Sequence, residues 1–336
     1  MVCLCLLVIL ISALLACGIA AAILYKNKPC DPEDVRKFFE GFRICGHRGA
    51  PTSFPENGMA GFNQAKTDGA DSIEFDIALT KDGEAVLLHD DLDRTTNLTG
   101  PIREKILAEL ARANISAHFT RSTRANLPPV KQEGIPKLET VVKWAVENKM
   151  KMIFDVKDSD RELVKIIDEL FKKYQLYDKA IVCSFFPWVL YLVKQANHKI
   201  LSGLTWRRRL LSYKDAENTV PRYSGPKHYL FVLLDKIYVC LLQSVIPWFL
   251  GADLLLTSHL EISKTFVREQ HNRGRHVVAW TINDIAEMHW MVDELQIPIL
   301  TDYSSYVKIM DLLKKIREKG YNEQALRAAV SAAVPS

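Results

Sequence analysis

The feature that most constrains this chain is an alternation of short apolar segments with amphipathic helical stretches, sustained from residue 44 to residue 302. Apolar runs at Ile44 and Ser72 and over 152–157, 180–185, 199–205, 253–258, 277–283 and 299–302 read as eight strands. Helical spacing lies between most of them, as in Leu138, Val141, Val142, Ala145 and Val146. Strand and helix alternating eight times over some three hundred residues predict an α/β fold, a TIM (β/α)8 barrel, placed here at 43–319.

One stretch departs from simple alternation. After the second strand, SIEFDIAL, comes Asp82-Gly83 and a returning apolar run at 85–89. Asp82-Gly83 suits a two-residue type I′ hairpin turn, which would pair Lys81 with Glu84 and set Asp76 directly opposite His89. Glu74 shares that face, while Phe75, Ile77, Leu79, Val86 and Leu88 point the other way. Two carboxylates and an imidazole on one face suggest a divalent cation with an acid or base beside it; the alternative is an exposed hairpin whose polar face meets water.

Other polar residues gather where the strands end, the side on which such barrels keep their chemistry. His47 and Arg48 follow the first strand between Gly46 and Gly49, which let the backbone turn sharply and approach a ligand. Pro55-Glu56-Asn57 reads as a helix start, and Gly69 as its stop. Asp155 and Lys157 close the third barrel strand, where charge is costly unless paired or used. Ser184, Ser258 and Asn283 either line the pocket or satisfy neighbouring backbone groups. His198, His259, His271 and His276 stand in no motif.

Outside the barrel, residues 2–24 form an uncharged apolar run long enough to cross a bilayer, and are read as a transmembrane anchor followed by a linker at 25–42. Its flanks leave the orientation open, since Lys26 and Lys28 are soon offset by Asp31, Glu33 and Asp34. Sequons at Asn97 and Asn114 lean towards a lumenal or extracellular, glycosylated body. Segment 91–134 is expected to be an insertion over one face. Segment 206–250 reads as a barrel helix plus a lid or membrane-facing piece, with a buried helix pair as the alternative; Asp235, Lys236, Gln243 and Pro247 argue against a second span. Residues 320–336 form a flexible tail. Seven cysteines without CxxC spacing predict neither a disulfide framework nor a metal–thiolate site, and a net charge of +4 without a dense basic run gives no sign of nucleic acid binding.

Taken together, His47-Arg48-Gly49, Pro55-Glu56-Asn57, Glu74-x-Asp76, His89-Asp90, Asp155-Val156-Lys157, Trp280-Thr281-Ile282-Asn283 and Thr301-Asp302 resemble the glycerophosphodiester phosphodiesterase family in order and spacing. The resemblance implies a one-metal phosphodiesterase that splits glycerophosphodiesters into glycerol phosphate and an alcohol. Glu74, Asp76 and Asp155 would ligate Mg²⁺ or Ca²⁺, His47 and His89 would act as acid and base, Arg48 and Lys157 would bind phosphate, and Trp280 would wall the headgroup side. The nucleophile it implies is the glycerol 2-hydroxyl, through a cyclic phosphate. Many relatives carry glutamate where this chain has Asp155, one methylene shorter. Glu56, Asn57, Asn283 and Asp302 would stand behind these groups; Asp302 would otherwise cap the last helix. Two further readings are a lysophospholipase D acting on lysolipids or N-acyl glycerophosphoethanolamines, and a barrel kept for protein partners without turnover.

Overall fold

The computed structural model describes residues 18, 20, 23–121, 127–308, 310 and 311. The expected anchor at 2–24 therefore lies almost wholly outside the described residues, and the tail at 320–336 wholly so. Among the described residues, no helix is long and apolar enough to cross a membrane.

Eight parallel strands close into a barrel: β1 (Ile44–Gly46), β2 (Ser72–Leu79), β4 (Lys151–Val156), β5 (Ala180–Ser184), β6 (Leu201–Trp206), β7 (Leu254–Ser258), β8 (His276–Trp280) and β9 (Ile299–Thr301). Each pairs in parallel with the next, and β9 pairs with β1. The extra strand β3 (Ala85–Leu87) is antiparallel to β2.

Side-chain alternation sorts the barrel into two layers. Ile73, Phe75, Ile77, Met152 and Phe154 face outward and pack with helices α2 (Met59–Asp68), α3 (Leu138–Glu147), α4 (Arg161–Tyr174) and α5 (Pro187–Ala196). Cys45, Ile153, Ile181, Cys183, Leu201, Leu254, Val278 and Leu300 fill the interior. Below them sits α1 (Pro32–Phe39), capped by Asp31 and started by a proline. Its Val35 and Phe38, with Cys30 and Phe42, join the interior cluster. The segment expected as a linker at 25–42 is thus a plug in the floor of the barrel. Its apolar positions are too few to stand out in sequence, yet burying them closes the interior.

The hairpin corrects the expected register by one residue. Ile77 pairs with Leu87, Ala78 with Val86 and Leu79 with Ala85, so Thr80 meets Glu84 around a three-residue loop, Lys81-Asp82-Gly83. Gly83 alone takes the left-handed conformation (φ +82°), and Thr80 bonds both Asp82 Oδ1 (2.6 Å) and the Glu84 N–H (2.9 Å). Asp82 is held in the loop by its neighbours rather than in the first position of a type I′ turn. A one-residue slip moves side chains to the other face. Val86 and Leu88 accordingly pack with Ala78 and with Leu92, Ile102 and Leu110 of the 91–134 insertion, not with Phe75 and Ile77. Asp76 stands opposite Leu88, whose N–H donates to its carbonyl, not opposite His89.

The helix expected from Pro55 starts later, at Met59, because Asn57 is left-handed (φ +58°) and its side chain is committed elsewhere. Glu133, from the insertion, accepts from the Met59 N–H at the start of α2. Gly69, also left-handed, ends that helix as expected. Segment 206–250 contains α6 (Gly225–Gln243) and α7 (Val245–Leu250). They do not form a buried pair: within α6 only Asp235 and Leu242 are buried. Asp235 interrupts the apolar run because it accepts from the Leu211 and Ser212 N–H groups (2.9 Å each).

Candidate active site

The register of β2 and β4 places Asp76 directly beside Asp155, and alternation sends both into the barrel with Glu74. Ligand oxygens of the three buried carboxylates lie within 4.8 Å of one another. Nothing on the protein satisfies Asp155 Oδ1, which is buried without a hydrogen-bond partner.

The turn after β1 carries His47 and Arg48 across this cluster. A Cβ on Gly46 would collide with the Gly49 carbonyl, and Arg48 itself is left-handed (φ +51°), so the turn is tight. The Arg48 N–H donates to Glu74 Oε2 (2.8 Å), and its Nε lies 3.2 Å from Asp76 without a well-directed hydrogen bond. Lys157 Nζ reaches Asp76 Oδ1 at 2.7 Å. Asn57 grips Asp76 twice, side chain to side chain and side chain to backbone, each at 3.0 Å. Glu56 holds Arg48 at 3.2 Å.

Two imidazoles flank the carboxylates, each backed by another carboxylate. His47 Nδ1 lies 2.7 Å from Asp302 Oδ1, and its Nε2 is 4.0 Å from Glu74. Asn283 donates to the other Asp302 oxygen (2.7 Å), so Asp302 orients His47. His89 Nε2 is 3.9 Å from Asp76, and its Nδ1 lies 2.8 Å from Asp90, off line for a hydrogen bond. His89 reaches Asp76 despite the shifted register because β3 ends at Leu87, and alternation no longer governs residues beyond it.

Electrostatics separate these groups. Burial, reinforced by the charge on Asp76, pushes Glu74 up to about 8. Asp155 is raised to about 6 by burial, which Lys157 only partly offsets. Burial would raise Asp76 too, but Lys157, Arg48 and His89 outweigh it and hold it well below the usual carboxylate range. For His47, burial is outweighed by the Asp302 hydrogen bond and the Glu74 charge, and the pKa is raised. For His89, burial wins over Asp76 and the pKa is lowered.

Three oxygen donors that repel one another, one of them orphaned, fit a hard divalent cation such as Mg²⁺ or Ca²⁺. Trp280 is half-buried at the end of β8, edge-on to Phe185 (5.5 Å), with its indole N–H on the Leu256 carbonyl. Ser184 stays out of the chemistry: it donates to the Val156 carbonyl at 2.6 Å. Ser258 is buried. Asn97 is exposed and Asn114 half-buried, side by side, with the Asn114 N–H on Asn97 Oδ1. Sequence reasoning missed Asp90 as the partner of His89, and Arg94, which links Asp90 to Glu56. Adjacency in His89-Asp90 was a signal for the first; nothing local marked the second.

Comparison with known proteins agrees with this geometry. Residues 47–305 match the model of the glycerophosphoryl diester phosphodiesterase family. Glycerophosphodiester phosphodiesterase 1 of Homo sapiens is 29% identical over 276 residues, covering 81% of each chain. The Mus musculus protein of that name is 30% identical, over 76% of each chain. Among solved structures, a phosphodiesterase from Oleispira antarctica in complex with sn-glycerol-3-phosphate superposes with a TM-score of 0.61 at 20% identity, covering 82% of this chain and 98% of that one.

Proposed function

The chain belongs to the glycerophosphoryl diester phosphodiesterase family, and we propose that it hydrolyses glycerophosphodiesters to glycerol phosphate and an alcohol with the help of one divalent cation. The observation that carries the cation is the carboxylate cluster itself, with Asp155 Oδ1 buried and without a hydrogen-bond partner. Glu74, Asp76 and Asp155 would hold Mg²⁺ or Ca²⁺, which when bound offsets charge on the phosphoryl oxygens.

The protein's own groups supply the rest. Arg48 and Lys157 bind the phosphate, Arg48 through the planar fork that suits its oxygens. Trp280 walls the headgroup side. His47, whose pKa is raised by the Asp302 hydrogen bond and the Glu74 charge, gives its proton to the leaving alcohol. His89, whose lowered pKa keeps it neutral, takes the proton of the nucleophile. The nucleophile is the glycerol 2-hydroxyl: its bond to phosphorus forms as the bond to the alcohol breaks, and water then opens the cyclic phosphate with the two proton transfers reversed.

The test is turnover of a panel of glycerophosphodiesters and lysolipids by the full chain, before and after EDTA and with Mg²⁺ or Ca²⁺ restored. Turnover indifferent to chelation would remove the cation. Solvent ¹⁸O in the product without any detectable cyclic phosphate would remove the 2-hydroxyl route. A barrel without turnover would leave the paired imidazoles without a use. Anchoring through 2–24 and a lumenal or extracellular body belong to the same reading; protease protection in sealed vesicles, with an endoglycosidase shift dependent on Asn97 or Asn114, tests both.

A further inference from the structure

At the end of the barrel opposite the carboxylates lies a cavity of about 670 Å³, lined by Lys26, Trp248, His271, Arg273, Arg275 and His276. It abuts Asp253, the residue before β7, and so belongs to the floor. Among the described residues its cations have no carboxylate partner; Arg273, Arg275 and Gln270 all donate to the Gln243 carbonyl, the last of α6. Arg275, a buried residue, donates Nε to the neutral Gln270 side chain (3.0 Å), and Arg273 donates to the Gln243 carbonyl (2.8 Å). Among the described residues, no carboxylate lies within ion-pairing distance of Lys26, Arg273 or Arg275. The lining carboxylate, Asp253, is already taken by Lys194 Nζ (2.8 Å) and by the Cys30 and Ser202 N–H groups (2.7 and 2.8 Å). Guanidinium groups brought together without a counter-ion make a place for an anion.

The surroundings say which kind of anion. The other wall is apolar, with Val35, Pro247 and Ala252 beside Trp248, over whose ring Lys26 Nζ sits at 4.9 Å. From Trp248 an exposed apolar stripe runs up α7 and α6 through Val245, Leu241, Ile237, Leu233 and Leu230, the spacing of one helical face. Exposed Ile23 and Leu24 lead into the same corner from the uncharged run at 2–24. A basic pocket continuous with an apolar face is the chemistry that takes an anionic lipid.

We propose that this floor cavity binds the phosphate of an anionic phospholipid headgroup, with the α6–α7 stripe resting against the acyl region of the same leaflet. The test uses the full chain in neutral detergent micelles, titrated with dihexanoyl phosphatidylserine, dihexanoyl phosphatidylcholine or inorganic phosphate, and read as a binding isotherm and a thermal shift. Phosphatidylserine should bind best and raise Tm most. Lys26→Glu and Arg273→Glu, both at exposed positions, should each weaken it about fivefold or more while leaving turnover of a soluble glycerophosphodiester unchanged. Arg275→Gln should do the same, and the two exposed-site variants decide the matter if it fails to fold. Equal affinity in wild type and the charge-reversal variants would overturn the site. Inorganic phosphate binding as tightly as the lipid would overturn the membrane assignment. Binding that survives the floor variants but disappears in Glu74→Gln would place the lipid at the catalytic mouth instead.

Discussion

Two buried charge clusters in this barrel, the Lys194–Asp253 pair at the floor and the carboxylates at the mouth, are built in opposite ways. At the floor, Lys194 and Asp253 form a pair with side chains 0% and 1% exposed, 2.8 Å apart, and the remaining capacity of Asp253 is filled by backbone N–H groups. Cys30 Sγ lies 3.0 Å from the same ammonium, and burial followed by the Asp253 charge pushes its thiol up to about 12. At the mouth, Glu74, Asp76 and Asp155 face one another, and orphaned atoms remain on Asp155, Arg48 and His89. Buried charge by itself therefore marks no site. Saturated charge holds the fold together, whereas unsaturated charge is disposed towards something absent from the protein's own side chains.

That contrast breaks most visibly in activity. Glu74→Ala and His89→Ala should each lower turnover by ~10²–10⁴-fold while the protein remains folded. Lys194→Met should do the reverse: leaving Asp253 buried and unpaired should cost ~3–5 kcal/mol in denaturant unfolding, with kcat per folded molecule unchanged. If Lys194→Met lowers kcat without lowering stability, the division between the two clusters fails.

Smaller effects sharpen it. Asp302→Asn should reduce kcat by roughly 10–100-fold, because it loosens the His47 ring without removing it, and Asn283→Ala should follow in the same direction with less loss. The mouth also sets a pH dependence in metal-free protein. Glu74 holds its proton up to about 8 when folded but releases it near its ordinary value when unfolded, so the unfolded chain binds fewer protons across that interval. Stability should fall as pH rises from about 4.5 to 8. The fall should be smaller in Glu74→Gln, where only Asp155, raised to about 6, still contributes from this cluster, and added Mg²⁺ or Ca²⁺ should raise Tm more at pH 8 than at pH 5. The smallest effect is chemical: exposed Cys240 should react with a maleimide in the native state, while Cys30, Cys45 and Cys183 wait for unfolding.

Much of the mouth was legible before any coordinates, for a local reason. Strand period sends Glu74, Asp76 and Asp155 to one side of their strands, and the barrel's strand ends gather His47, Lys157 and Asp302. The hairpin was legible only in outline. The Thr80 side chain and the position of Gly83 chose a three-residue loop, and the pairing slipped by one. The pairing of Asp76 with His89 was right in space and wrong in register, since His89 lies past the end of its strand.

The sequence alone determined the alternation of eight strands with helices and the residue types at the strand ends, because periodicity and turn chemistry act over a few neighbours. Tertiary structure decided who meets whom. Asp302 joins His47 across 255 residues, Asp253 joins Cys30 across 223, and residues 32–39 became the floor rather than a linker. Those choices follow from closing the barrel, where β9 is laid against β1 and the interior must be filled, and no window of sequence contains that closure.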